Sequence, residues 1–334
     1  MTDVLQHLAY LNGKPTTTAK FKATNEDFIV REVLGYSFAG EGEHLMLRVR
    51  KNGENTSFVA NELAKFCGVK SKDIGWAGLK DRHAVTEQWL SVHLPKKNVP
   101  DFADFADFAD FADFHKQYPS IEIVATDWHN KKLRPGDLAG NEFEIRLTDV
   151  SDMTELSTRL QQVEAGGVPN YFGQQRFGQD GGNVTEARRW GRENVRTRNQ
   201  NKRSLYLSAA RSWIFNEIVS KRIEAQCFES PIAGDILEEN GVITAALAGD
   251  NALPTEQEAL TLEQSIIDQE LDLMLLIRGN RMRHDRRAIL LKPESLKSQL
   301  EDGAVTLSFF LDSGSFATSI LRELAQIEEV ERQF

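Results

Sequence analysis

One short segment concentrates residue types that can do chemistry. Asp81 lies between Lys80 and Arg82, with His83 next, in a loop that opens Gly75-Trp76-Ala77-Gly78. Flanking positive charge favours the carboxylate over the acid, so Asp81 is expected to stay ionised in a partly apolar setting and to act as a nucleophile or base. His83 invites an acid–base role. It has no Ser or Cys nucleophile partner and no second His at metal-ligand spacing, so it reads as structural support for the loop. Cys67 and Cys227 carry no C-x-x-C spacing and read as buried reduced thiols, with neither a disulfide framework nor a zinc site supported. The pairs Gly166-Gly167 and Gly181-Gly182 fit no phosphate-cradling or dinucleotide fingerprint, which argues against a nucleotide cofactor.

The second chemical signal is charge. The 334-residue chain holds 40 basic and 50 acidic residues, a net charge of −10, which by itself argues against a polyanion partner. Its distribution argues the opposite. Arg188, Arg189, Arg192, Arg196, Arg198, Lys202, Arg203 and Arg211 fall in one stretch where Glu193 is the only acid, and Arg278, Arg281, Arg283, Arg286 and Arg287 gather around His284 with only Asp285 opposing them. The planar guanidinium fork suits phosphate, so two such patches in one segment imply a nucleic-acid groove. Tyr171, Phe172, Phe177 and Trp190 near the first patch could stack on bases or pack a core.

These residues need elements to position them. With 40 % hydrophobic and 27 % charged residues, the chain has the balance of a globular protein and the length for two domains. No apolar run is long enough to span a membrane, and the opening residues lack the layout of a signal peptide, so a cytoplasmic location is expected. Period-two alternation predicts strands over 26–32, 44–50, 87–92, 121–124, 142–147 and 305–310. Helical spacing follows a cap at Thr56 or Ser57 and ends at Gly68, and a second helix runs from Ser151 to Gly166-Gly167. Helices are also predicted over 207–219 and 271–277, and a final one carries Ile320, Leu324, Ile327 and Val330. Between residues 101 and 114 the triplet Asp-Phe-Ala repeats, which reads as a peripheral spacer of one or two helical turns with exposed phenylalanines. Strand texture on both sides of a helical, basic middle predicts a mixed-sheet domain interrupted by an insertion.

The segment Gly78-Leu79-Lys80-Asp81-Arg82-His83-Ala84-Val85-Thr86-Glu87-Gln88 resembles the active-site signature of the tRNA pseudouridine synthase D (TruD) family. Four further stretches agree in order: Glu26-Asp27-Phe28-Ile29-Val30 with Glu32; Gly140-Asn141-Glu142-Phe143; the run from Val168 to Gly178; and Gly314-Ser315-Phe316-Ala317-Thr318-Ser319. The resemblance implies an α+β fold: a mixed-sheet pseudouridine-synthase catalytic domain over 1–166 and 293–334, split by a helix-rich α/β TRUD domain over 167–292. It implies isomerisation of a uridine in tRNA to pseudouridine, the family target being uridine 13 in the D-arm of certain tRNAs including tRNA(Glu), without cofactor or metal. Asp81 falls on the family's catalytic aspartate, whose attack at C6, attack at C1′ or abstraction of the C2′ proton remain open alternatives. Lys22 resembles its basic partner, and Phe28, Asn141, Phe143 and Phe316 the groups that receive the flipped base. Arg188, Arg189, Arg192, Arg196, Arg198, Lys202 and Arg203 would then hold the RNA backbone. The Asp-Phe-Ala block and a shortened stretch between Gly234 and Glu258 depart from the family pattern outside its motifs.

Two other function classes compete. An RNA-binding protein would need the arginine patches but not the Asp81 setting. An Asp-dependent glycosidase would need a second carboxylate, for which Glu43 or Glu87 could be nominated. No long coiled-coil pattern appears, so a monomer without an obligatory protein partner is expected.

Overall fold

The computed structural model describes residues 4–95 and 111–330. Residues 101–110 of the Asp-Phe-Ala block lie outside that range. The chain divides into a sheet unit (Thr17–Met153, Pro293–Gly314 and Gln326–Phe334) and a helical unit (Met1–Thr16, Thr154–Lys292 and Ser315–Ala325).

In the sheet unit, alternating sequence forms β1 (Thr18–Phe21), β2 (Phe28–Leu34), β3 (His44–Asn52), β4 (Ile74–Trp76), β5 (Val85–His93), β6 (Ile121–His129) and β7 (Leu138–Thr148). The helical unit contributes β8 (Val168–Pro169), β9 (Thr244–Leu247), β10 (Asp285–Ala288) and β11 (Leu290–Leu291) as two short pairs, after which β12 (Glu294–Glu301), β13 (Ala304–Asp312) and β14 (Gln326–Glu329) return to the main sheet. That sheet runs β12-β13-β7-β2-β5-β3-β6, with β4 beside β5 and β1 joined to both β7 and β14. It is mixed, because β2–β5 and β1–β14 are parallel and the other pairs antiparallel. The fold is α+β.

Helix α1 (Thr56–Phe66) buries Val59, Ala60, Leu63 and Ala64 against Leu45, Leu47, Val49, Leu90 and Val92 of the sheet. Its N-cap is Asn55, one residue before the expected cap, and Gly68 ends it in the left-handed region at φ 67°. Helix α2 (Ala112–Gln117) is a short helix as expected, but the exposure expected of the phenylalanines is corrected for the two described ones: Phe111 and Phe114 are 3 % and 0 % exposed and pack on Phe66. Cys67 and Cys227 are free but half-buried rather than buried, and burial pushes the Cys67 thiol up to about 12.

The helical unit contains α3 (Met153–Gly166), α4 (Gly182–Arg192), α5 (Gln200–Glu224), α6 (Gln257–Gln269), α7 (Leu271–Gly279) and α8 (Ala317–Leu324). Its core gathers Phe177, Phe215, Ile218, Leu273 and Ile277, and Tyr171, Phe172 and Trp190 join them, so the four aromatics of the first basic patch are core residues. The sequence boundary at 166 and the observed one at 153 differ by α3. Its buried Arg159 donates to the carbonyls of Gly13 and Glu323, which ties the helix to the chain's first and last segments of this unit. The expected helix through Ile327 is also corrected. Ala325 is extended at φ −156°, and residues 326–329 pair in parallel with β1, whose free edge takes them as a strand.

Candidate active site

One face of the sheet carries the site. Alternation along β2 puts Phe28, Val30 and Glu32 on the same side, and the register sets them opposite Ile145, Phe143 and Asn141 of β7. On the other flank Val30 meets Thr86 of β5, which in turn faces Lys51 of β3. Loop 77–84 is tied to this face at three points. Gln88 Nε2 donates to the Gly78 carbonyl (3.0 Å), Lys80 Nζ to Glu32 Oε2 (2.7 Å), and Lys51 Nζ to the Asp81 carbonyl (3.0 Å). Thr56 Oγ1 accepts from Lys80 N (3.2 Å) and donates to Gln88 Oε1 (2.7 Å), which links α1 to the same loop.

Held this way, Asp81 meets Lys22. Lys22 Nζ donates to Asp81 Oδ2 at 2.7 Å, and the His83 backbone N–H donates to Oδ1 at 2.8 Å, giving His83 the structural role expected of it through its main chain. Lys22 follows β1 directly and adopts the left-handed region at φ 59°, a conformation that costs a non-glycine residue about 1 kcal/mol or more. Its ammonium lies 5.0 Å from the Phe28 ring centroid and 5.2 Å from that of Phe21. Burial alone would raise the Asp81 pKa, but the Lys22 ammonium and the His83 N–H outweigh it and hold the carboxyl below the usual carboxylate range. Asp81 is therefore a carboxylate at neutral pH, with 20 % of its side chain open to solvent. Lys51 is 1 % exposed, and burial pulls its ammonium down to about 8.

Beside the ion pair runs an aromatic row. The rings of Phe28 and Phe143 are near-parallel at 6.2 Å, Phe143 and Phe309 follow at 5.5 Å, and Phe21 meets Phe28 edge-on at 5.2 Å. Phe143 is buried and backs this row, whereas Phe28 is half-buried at its end. Asn141 continues the row, and its Oδ1 is buried with no hydrogen-bond partner among the described residues. A Cβ at Gly140 would stand 2.3 Å from the Leu311 carbonyl oxygen, so the close approach of β7 to β13 beside Asn141 requires glycine. Phe316 belongs to the helical unit, where its ring lies 5.9 Å from that of Phe172. The nominated second carboxylates are spent elsewhere. Glu87 points to the opposite face and is clamped by Arg48 Nε (3.1 Å) and Arg50 Nη2 (2.8 Å), and Glu43 stands 3.7 Å from His93.

Sequence reasoning passed over Lys51, placed Glu32 and Gln88 in motifs without a role, and read Thr56 only as a helix cap. A signal existed: Glu32 shares the phase of Phe28 and Val30, and Lys51 that of Leu45, Leu47 and Val49, so each is a charge in the inward register of a strand. Glu32 and Lys80 have side chains 0 % and 6 % exposed. Removing one member of so buried a pair typically costs about 3–5 kcal/mol, so Glu32→Ala is expected to lower stability by that amount and to loosen the loop. A urea titration showing a loss under about 1 kcal/mol would contradict this.

The basic residues divide into two groups. Arg188 pairs with Glu270 (2.8 Å), Arg192 with Asp272 (2.9 Å), and Arg189 with both Glu186 (2.8 Å) and Glu193 (2.9 Å). Arg286 pairs with Glu263 at 2.9 Å. Acids scarce along the sequence are thus supplied in space. Arg196, Arg198 and Lys202 are exposed and have no ion pair among the described residues, and Arg203 bonds only to the Gln200 side chain.

With this geometry in hand, similarity to other proteins becomes specific. The family model described as TruD, tRNA pseudouridine synthase D, matches residues 5–190, 186–242 and 238–324. The chain belongs to the TruD family. The tRNA pseudouridine synthase D of Vibrio parahaemolyticus is 63 % identical over 356 aligned positions, and that of Vibrio campbellii 61 %, each alignment covering 100 % of both chains. A crystal structure assigned as tRNA pseudouridine synthase D from Methanosarcina mazei matches with a TM-score of 0.67 over 96 % of this chain and 95 % of that one, at 21 % identity, which shows the TruD fold. No helix among the described residues is long and apolar enough to cross a membrane.

Proposed function

We propose that the chain isomerises uridine to pseudouridine in tRNA, at uridine 13 of the D-arm and in tRNA(Glu) among others, with Asp81 as the catalytic carboxylate. The observation that carries this reading is one ionised carboxylate, fixed by Lys22 and the His83 N–H, on a sheet face that also offers an aromatic row and an unsatisfied Asn141 oxygen. A uridine inside folded RNA must leave its stack to react. Phe28 supplies a ring face for the extruded base, the Asn141 Oδ1 accepts from its N3–H, and Phe143 backs the row. Phe316 is assigned as a further substrate contact from its motif. The reaction balances within the substrate: the N1–C1′ bond breaks, the uracil turns, C5–C1′ forms, C5 loses a proton and N1 gains one. Lys22 holds Asp81 as the carboxylate before it reacts and favours its return to that state afterwards.

Residues 167–292 are assigned to hold the tRNA, with Arg196, Arg198, Lys202 and Arg203 on phosphates and Arg188, Arg189 and Arg192 contributing what their local pairs leave. The enzyme is taken to work as a cytoplasmic monomer. The direct test is to incubate purified protein with unmodified tRNA(Glu) transcript and map pseudouridine by carbodiimide and primer extension; a stop at position 13 is expected, and its absence would overturn the reading.

Two further results are expected. Lys22→Met removes the charge that opposes burial at Asp81, so the acid limb of kcat/KM should move to higher pH. An unmoved limb in a pH–rate profile would show that Lys22 does not set the charge of Asp81. Replacing Arg196, Arg198 and Lys202 together by Ala should make the dependence of tRNA binding on salt shallower by about 2–3 in log–log slope. An unchanged slope would remove them from the RNA contact.

A further inference from the structure

The helical unit contains a cavity of about 400 Å³ along one side of α5, where Ser204, Ser208 and Ser212 recur at one-turn spacing. Leu207, Leu247, Met282 and Phe172 make it partly apolar, and no carboxylate lines it. Two guanidinium groups do. Arg211 is held by the carbonyls of Ala248 (3.0 Å), Leu247 (3.1 Å) and Arg283 (3.0 Å), which fix its fork, while Asp285 acts on it from outside the cavity lining without forming a direct ion pair. The Arg203 guanidinium bonds to the Gln200 side chain and to no carboxylate among the described residues. Asn280 spends its amide nitrogen on the Leu276 carbonyl (2.8 Å), which leaves its Oδ1 as an acceptor in the wall. An apolar wall, a polar edge and two guanidinium groups with no carboxylate in the lining together select a planar, hydrogen-bonding ligand that carries an anion.

A second cavity of about 90 Å³ shares Arg203 and Asn280 with the first and adds Arg196, Thr197 and Asn194. A free mononucleotide would need only one of these spaces. A strand would use both, because its phosphates repeat.

We propose that the larger cavity receives one unstacked nucleotide of the bound RNA, base inside and phosphate on Arg203 and Arg211, while the smaller one takes the adjoining phosphate on Arg196. This nucleotide site is built from residues of the helical unit alone, and it rests on the reading of tRNA as substrate. It gives the helical unit a means of checking RNA sequence beyond backbone contact.

The test uses the full-length protein and tRNA(Glu) transcripts carrying single 2-aminopurine or pyrrolocytosine substitutions, whose fluorescence rises when the base unstacks. One position other than 13 should brighten on binding. Ser204→Trp, which fills the cavity, and Arg203→Ala, which removes the anion partner without filling it, should each abolish that signal and weaken binding about tenfold. Brightening confined to position 13, or a second bright position surviving both variants, would overturn the proposal. Adenosine monophosphate serves as the free-nucleotide probe: binding that tRNA does not displace would assign the cavity to a free nucleotide instead. Pseudouridine is scored in the same samples. Its formation without a second bright position defeats the cavity assignment alone, whereas neither tRNA binding nor pseudouridine in the wild type defeats the functional reading and the cavity assignment with it.

Discussion

Asp81→Asn is expected to lower pseudouridine formation by about a thousandfold or more while tRNA affinity is largely retained. The substitution keeps the shape of the side chain and an oxygen for the His83 N–H, and removes only the charge and the proton-accepting or nucleophilic oxygen. The other carboxylates nearby are placed differently: Glu32 is engaged by Lys80, Glu87 lies on the other face of the sheet, and the exposed Glu329 of β14 approaches Lys22 Nζ only to 3.8 Å. Asp81→Ala should behave alike and lose the His83 contact as well. Single-turnover assays on tRNA(Glu), beside filter binding, separate the two quantities; isomerisation within tenfold of wild type would remove Asp81 from the chemistry. The ion pair also links stability to pH. Because folding lowers the Asp81 pKa, its contribution is complete above the unfolded value near 3.8 and is lost as pH falls through the folded one, so the Asn variant should lose less stability in acid.

Arg222→Ala is expected to produce the largest loss of stability among single changes in the helical unit. Arg222 and Asp235 have side chains 1 % and 3 % exposed and form a two-pronged pair at 2.8 and 2.7 Å, while Arg222 Nε also donates to the Cys227 carbonyl (3.1 Å). Truncating the arginine strands a buried carboxylate, which typically costs about 3–5 kcal/mol. That is a large part of the roughly 5–15 kcal/mol that holds a native protein together. Arg222→Met with Asp235→Leu should recover most of it, because neither charge is then buried alone. Denaturant unfolding followed by tryptophan fluorescence decides the matter; a loss under about 1 kcal/mol for the single variant would contradict it.

Much of the site was legible because its chemistry is local in sequence. The Asp81 loop brings its own flanking charges, and the strands that carry Phe28, Asn141 and Phe143 announce themselves by alternation. What escaped depends on partners distant along the chain. The arginines of α4 look unopposed until α7 delivers Asp272 and Glu270 arrives just ahead of it. Ile327 fits the helical spacing of Ile320 and Leu324, and only the availability of β1 as a parallel neighbour makes it strand. Phe316 shares a motif role with Phe28, yet packs with Phe172 in the helical unit. Glu32 and Lys51 were readable in principle, as charges where a strand should be apolar.

The pairing of β14 with β1 has a consequence for how activity arises during synthesis. Residues 18–21 lead directly into Lys22, and their parallel neighbour is 326–329, more than 300 positions later. The helical unit likewise needs 315–325 to meet 1–16. A nascent chain therefore carries both units unfinished through almost all of translation, and contacts so far apart form slowly once they can form. The lysine that keeps Asp81 charged gains its full strand support only when residues 326–329 have left the ribosome, so a chain arrested short of them holds every catalytic side chain without the frame that aligns them.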